Sequence, residues 1–136
     1  HSRNSTQTTN CYPSKALILQ SIEKGVNFLI LENDEIVASF DFIIGDDPTY
    51  KVIENGTWLN DEKYGVIHRL ASSGKARGVA QFCLEWCFSQ FPNIRIDTHE
   101  SNIPMQKVLE KLGYQKCGII YIADGTARWA FQKISK

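Results

Sequence analysis

The sequence predicts an α/β domain built around a sheet, and three local patterns carry that prediction. A β-branched run, Tyr64 to Ala71, passes through a glycine-containing turn into apolar residues at helical spacing: Val79, Phe82, Cys83, Trp86 and Cys87. Downstream, the apolar runs Tyr114 to Ala123 and Ala127 to Ile134 flank Asp124-Gly125-Thr126, and Asp-Gly between such runs is a strong hairpin cue. Upstream, Val26 to Leu31 and Glu35 to Ile44 flank Asn33-Asp34 and read as a second hairpin with a polar tip.

Each element follows from its own signals. His1 to Asn10 is polar and lacks periodicity, which predicts a disordered lead-in, a linker or an engineered scar, with one domain over residues 11–136. Pro13-Ser14 followed by Lys15 to Lys24 reads as a capped helix, with Leu17, Ile18, Ser21 and Ile22 inward and Gly25 as its stop. Gly45 to Lys63 is a long acidic and aromatic loop. The helix over Val79 to Gln90 should end near Pro92. Ile94, Ile96 and Thr98 then alternate with Arg95, Asp97 and His99, a strand with two distinct faces. Ser101-Asn102-Ile103-Pro104 opens a second helix, Val108, Leu109 and Leu112 form its buried stripe, and Gly113 supplies a left-handed stop.

Composition narrows the functional classes. A chain of 136 residues, 43% hydrophobic and 22% charged, fits one domain with a real core. Its formal net charge of +0 argues against a nucleic-acid binder that relies on broad phosphate neutralisation. No apolar run approaches the roughly 20 residues needed to span a bilayer, and no hydrophobic signal core is visible, so a cytoplasmic protein without a membrane partner is expected. Cys11, Cys83, Cys87 and Cys117 form no C-x-x-C pair, and His1, His68 and His99 are scattered. Buried free thiols and no metal site follow as the expectation.

The chemistry concentrates in Lys75-Ala76-Arg77-Gly78-Val79-Ala80, between strand and helix. Such a turn aims backbone N–H groups at one spot, and the helix dipole adds partial positive charge there. Lys75 and Arg77 contribute formal charge, while Gly78 and Ala80 keep the approach slim. An anionic phosphate is the expected ligand. The turn lacks the spacing of a P-loop and the three glycines of a dinucleotide fingerprint.

Lys75, Gly78 and Ala80 instead resemble the [Q/R]-x-x-G-x-[G/A] signature of the GNAT superfamily of N-acetyltransferases, with Lys at the first position. The family's second signature, an Asn followed by a helix ending in a phrase like L-Y-E-K-L-G-F, is echoed by Asn102 and by Val108-Leu109-Glu110-Lys111-Leu112-Gly113-Tyr114. The resemblance covers roughly Tyr12 to Lys136. It implies a GNAT-like acyl-CoA N-acyltransferase fold: a central mixed, mostly antiparallel sheet flanked by helices, with a splay between two central strands.

The resemblance also implies roles. The backbone of Leu70 and Ser72 would hold a pantetheine arm, Lys75, Ala76, Arg77, Gly78, Val79 and Ala80 would hold the diphosphate of acetyl-CoA, and Asn102 would meet the arm from the next strand's end. A general base is sought on the strands facing the cleft, where His68, Asp97 and His99 are the candidates; Asp97 and His99 share a strand face and could form a carboxylate–imidazole pair, directly or through water. The resemblance breaks at Leu109, where many family members carry the tyrosine that protonates the departing thiolate. It breaks again at the N-terminus, where the usual first strand and long helix have no counterpart. That gap would leave an edge near Val26 to Leu31 uncovered and suggests a homodimer. The expected activity is acetyl transfer from acetyl-CoA to a primary amine of a small molecule or peptide. A non-catalytic CoA-binding sensor or interaction module of the same fold is the alternative.

Overall fold

The structure, a computed structural model, describes residues 5–7, 16–20 and 25–135. In chain order the strands are β1 (Ser5–Gln7), β2 (Ala16–Gln20), β3 (Asn27–Glu32), β4 (Glu35–Ile44) and β5 (Gly65–Ser72). Helix α1 (Val79–Gln90), β6 (Asn93–Thr98), helix α2 (Ile103–Lys111), β7 (Gln115–Tyr121) and β8 (Ala127–Ile134) follow. The pairing is mixed and mostly antiparallel; β5 and β6 form the parallel ladder. Two compact units are distinguished, residues 1–43 with 67–86 and residues 44–66 with 87–136.

In the first unit β1, β2, β3 and β4 pair in succession as antiparallel neighbours. Asn33 and Asp34 both have positive φ, 52° and 68°, which is the backbone of a tight hairpin turn whose twist matches its strands. Phe28 and Phe40 are cross-strand partners stacked at 5.4 Å, and Trp86 of α1 meets Phe28, Phe40 and Phe42 at 5.1, 6.0 and 6.2 Å. Such ring contacts add to the area they bury. Val79, Phe82, Cys83 and Leu84 complete the buried side of the helix.

Residues 16–20 differ from expectation. The predicted helix over Lys15 to Lys24 is a strand there, with Ala16 and Ile18 buried and Leu17, Ile18 and Leu19 opposite Leu31, Ile30 and Leu29 across β2 and β3. A five-residue apolar run satisfies either period, and the ladder that β3 offers settles the matter. Lys15, Ser21 to Lys24, the lead-in beyond β1 and Cys11 lie outside the described residues. Because β2 and β4 flank β3, the edge that suggested a homodimer is covered.

In the second unit β6 is flanked by Gly65–Val66 of β5 and by β8, with β7 outside β8. Helix α2 is capped by Asn102, whose side-chain oxygen accepts from the N–H of Met105, and Leu109 is fully buried beneath it. Gly113 at φ 93° ends the helix as expected, with the Tyr114 N–H returning to the Leu109 carbonyl. The long acidic and aromatic loop, Gly45 to Lys63, is docked. Asp47 caps a short 3-10 turn, Pro48–Tyr50, and Tyr50 is buried with Tyr64, Val66, Ile120 and Ala130. The guanidinium of Arg95 lies over the rings of Trp58 and Tyr64, at 4.3 and 3.9 Å from their centroids. Gln132, fully buried, donates to Asn93 and Asn60 and accepts from the Leu59 N–H.

Candidate functional site

The turn between β5 and α1 has the predicted backbone. Ser72 Oγ accepts from the Gly74 N–H and Ser73 Oγ from the Lys75 N–H, both at 3.2 Å, so hydroxyls satisfy the start of the turn. Gly74 and Gly78 have φ of 82° and 70°, the left-handed region that favours glycine. The Gly78 carbonyl accepts the first α1 bond, from the Phe82 N–H at 2.9 Å. Beyond that, no acceptor among the described residues meets the N–H groups of Ala76, Arg77, Gly78, Val79 and Ala80. Those amides lie at the positive end of the α1 dipole, with small side chains among them. Lys75 Nζ lies 2.7 Å from Glu35 Oε2. Arg77 is exposed.

The strand leading in is irregular. Arg69 has φ 55°, unusual for a residue with a side chain, and its Nε is 3.9 Å from Asp41 Oδ2. The period-two count that set His68 and Leu70 on one face therefore does not carry through Arg69. Both are half-buried, and Ser72 is exposed. The β5–β6 ladder pairs Gly65 with Ile94 and Val66 with Arg95.

In the second unit Asp97 and His99 do not form the expected pair. Tyr50 Oη donates to Asp97 Oδ1 at 2.6 Å, and Arg128 Nη1 lies 3.4 Å from Oδ2, so both carboxylate oxygens are engaged. Burial and the Asp97 charge push the Tyr50 phenol well above its usual range, which keeps it a neutral donor. His99 Nδ1 accepts the Ser101 N–H at 3.0 Å and lies 2.7 Å from Ser101 Oγ. A neutral ring whose Nδ1 accepts a backbone N–H carries its proton on Nε2. Asn102 turns its oxygen to the helix cap at 3.3 Å and leaves its amide N–H groups without an acceptor among the described residues.

Arg128 and Glu35 are the residues that sequence reasoning missed, along with the link from Tyr50 to Asp97. Tyr50 and Arg128 lie 47 and 31 positions from Asp97, and Glu35 lies 40 positions from Lys75, so no local pattern links them. Only the alternation of Arg128, Ala130 and Gln132 hinted that Arg128 shares a face with the docked segment. Cys83, Cys87 and Cys117 are buried and form no disulfide among the described residues. No described helix is long and apolar enough to cross a membrane.

No family model and no curated protein matches the sequence. Solved structures do. A GNAT-family acetyltransferase from Streptococcus agalactiae is 38% identical with a TM-score of 0.76, covering 85% of this chain and 68% of its own. One from Bacillus cereus is 23% identical with a TM-score of 0.59, covering 85% and 75%. Naa50 of Arabidopsis thaliana, in complex with a CoA-linked peptide analogue, is 16% identical with a TM-score of 0.61, covering 85% and 78%. The last two share the fold; the first, with its identity and coverage, joins the turn before α1 and the Asn102 cap in one conclusion: the chain belongs to the GNAT family of acetyltransferases.

Proposed function

We propose that the chain transfers an acetyl group from acetyl-CoA to a primary amine of a small molecule or peptide, by direct attack within a ternary complex. The observation that carries this reading is the row of unpartnered amides from Ala76 to Ala80 at the start of α1. They would hold the diphosphate, with Lys75 and Arg77 adding charge. The backbone of Leu70 and Ser72 would hold the pantetheine arm. Asn102 would add its unpartnered amide N–H groups. The thioester supplies the acetyl group; the chain supplies alignment, which is the larger part of the rate gain.

A base must take a proton from the ammonium of the acceptor. Of the candidates, His68 suits this step, since imidazole exchanges a proton near neutral pH. Asp97 would position Tyr50 and Arg128, and His99 Nε2 would offer a hydrogen bond. The peptide analogue in the Naa50 complex supports including peptide amines among the acceptors tested. Acceptor panels of polyamines, amino acids, aminoglycosides and peptides, read by thiol release, test the reading; turnover on one class with His68→Gln lowering kcat about a hundredfold is the expected outcome.

A second reading, a CoA-binding sensor without turnover, is favoured by Leu109, which is fully buried where relatives carry a proton donor. Thermal stabilisation by acetyl-CoA with no thiol release on any amine would select it.

A further inference from the structure

The turn before α1 contains an internal competitor for its lysine. The Ser73 N–H donates to the Val37 carbonyl at 2.9 Å, tying the start of the turn to β4. Two residues from each end of that bond stand Lys75 and Glu35, and their side chains meet at 2.7 Å. The backbone of both is held: Glu35 follows the left-handed Asn33-Asp34 tip, and the Lys75 N–H is fixed by Ser73 Oγ. Both side chains are more than half exposed, at 65% and 56%, so either can exchange its partner for another.

We infer that Glu35 is an affinity-determining residue of the cofactor site, which it governs by holding Lys75 away from the diphosphate. The inference rests on the function proposed above. A diphosphate arriving at the amides of Ala76 to Ala80 takes Lys75 from Glu35, because it offers more charge and more acceptor oxygens than one carboxylate. Binding therefore breaks one ion pair to make another, and the net gain from Lys75 is smaller than a free lysine would provide. Arg77, which has no acceptor among the described residues, makes its contribution undiminished.

The test is calorimetric titration of CoA into the full chain, as wild type, Glu35→Gln, Lys75→Gln and the double variant, with melting temperatures recorded alongside. Glu35→Gln should tighten binding about threefold to tenfold, the range expected for one charge near another at a hydrated surface. In the Lys75→Gln background the same change should alter Kd by less than about twofold. Unchanged or weaker binding by Glu35→Gln overturns the inference while leaving the proposed function standing. Equal tightening in both backgrounds also overturns it, since Glu35 would then act by plain repulsion rather than through Lys75. A wild type that takes up no CoA at millimolar concentration instead removes the proposed function, and the inference with it. A fall in melting temperature of Glu35→Gln without tighter binding would make Glu35 a fold residue, a further outcome that overturns it.

Discussion

Residues 73–78 and 45–64 are both glycine-bearing connections, yet they treat their backbones in opposite ways. In the second, backbone groups find partners: the Glu54 and Ile119 amides and carbonyls exchange bonds at 2.8 Å, and the Trp58 Nε1 donates to the Tyr50 carbonyl. Its glycine serves packing, since a Cβ on Gly56 would sit 1.8 Å from the Cys117 carbonyl oxygen. In the first, no acceptor among the described residues meets the amides from Ala76 to Ala80, and a Cβ on Gly74 would meet nothing within 4 Å. A long polar loop can therefore bond its backbone internally where a short one does not. Partner counts on the backbone, rather than length or composition, tell them apart.

Five substitutions test that contrast. Gly56→Ala should be the most damaging, with about 3 kcal/mol lost to overpacking against backbone that cannot yield. Gly74→Ala should lose only about 1 kcal/mol, from its left-handed φ of 82° alone. Differential scanning calorimetry of the two reads the difference, and equal losses would break the comparison.

Asp97→Asn comes next, at about 2 kcal/mol, because it leaves Arg128 facing a neutral group inside the docked segment. Denaturant titration measures it.

Tyr50→Phe should cost about 1 kcal/mol for the lost bond to Asp97, with a signature in pH. The phenol is raised in the folded chain by burial and by Asp97, so its stabilising share is complete below the ordinary phenol value of about 10 and is lost as pH rises through the folded value. Wild-type stability should fall at alkaline pH beyond about 10, and Tyr50→Phe should flatten that fall. Parallel alkaline slopes would exclude Tyr50 as the cause.

Arg77→Gln should have the smallest effect on folding, within about 0.5 kcal/mol, yet weaken CoA binding about fivefold to tenfold. A large loss of stability there would place the turn among the structural loops.

The reading of Leu109 also changes with the structure. A tyrosine at this position would have to enter a site with no exposure, so Leu109→Tyr tests packing in α2 and not the missing proton donor.

Much of the fold was legible because its signals are local. Helix α1, the Asn102 start and Gly113 stop of α2, and the two hairpins at Asn33-Asp34 and Asp124-Gly125 each follow from spacing and punctuation within a dozen residues. The turn from β5 into α1 was legible for the same reason, since strand, glycine and helix start are contiguous in sequence.

Other features were not written locally. Ala16 to Gln20 could be helix or strand until β3 presented a ladder. Asp97 and His99 were adjacent on paper, but the carboxylate found Tyr50 and Arg128, and the imidazole found Ser101. By itself, then, the order of residues determined which segments take helical or extended backbone and where an anion would be welcome, because dihedral preferences and helix-end amides are properties of neighbours in the chain. Only tertiary structure decided which charges are already engaged, among them Lys75 by Glu35 and Asp97 by Arg128. Electrostatic pairing depends on distance in space, and folding sets that distance without regard to separation along the chain.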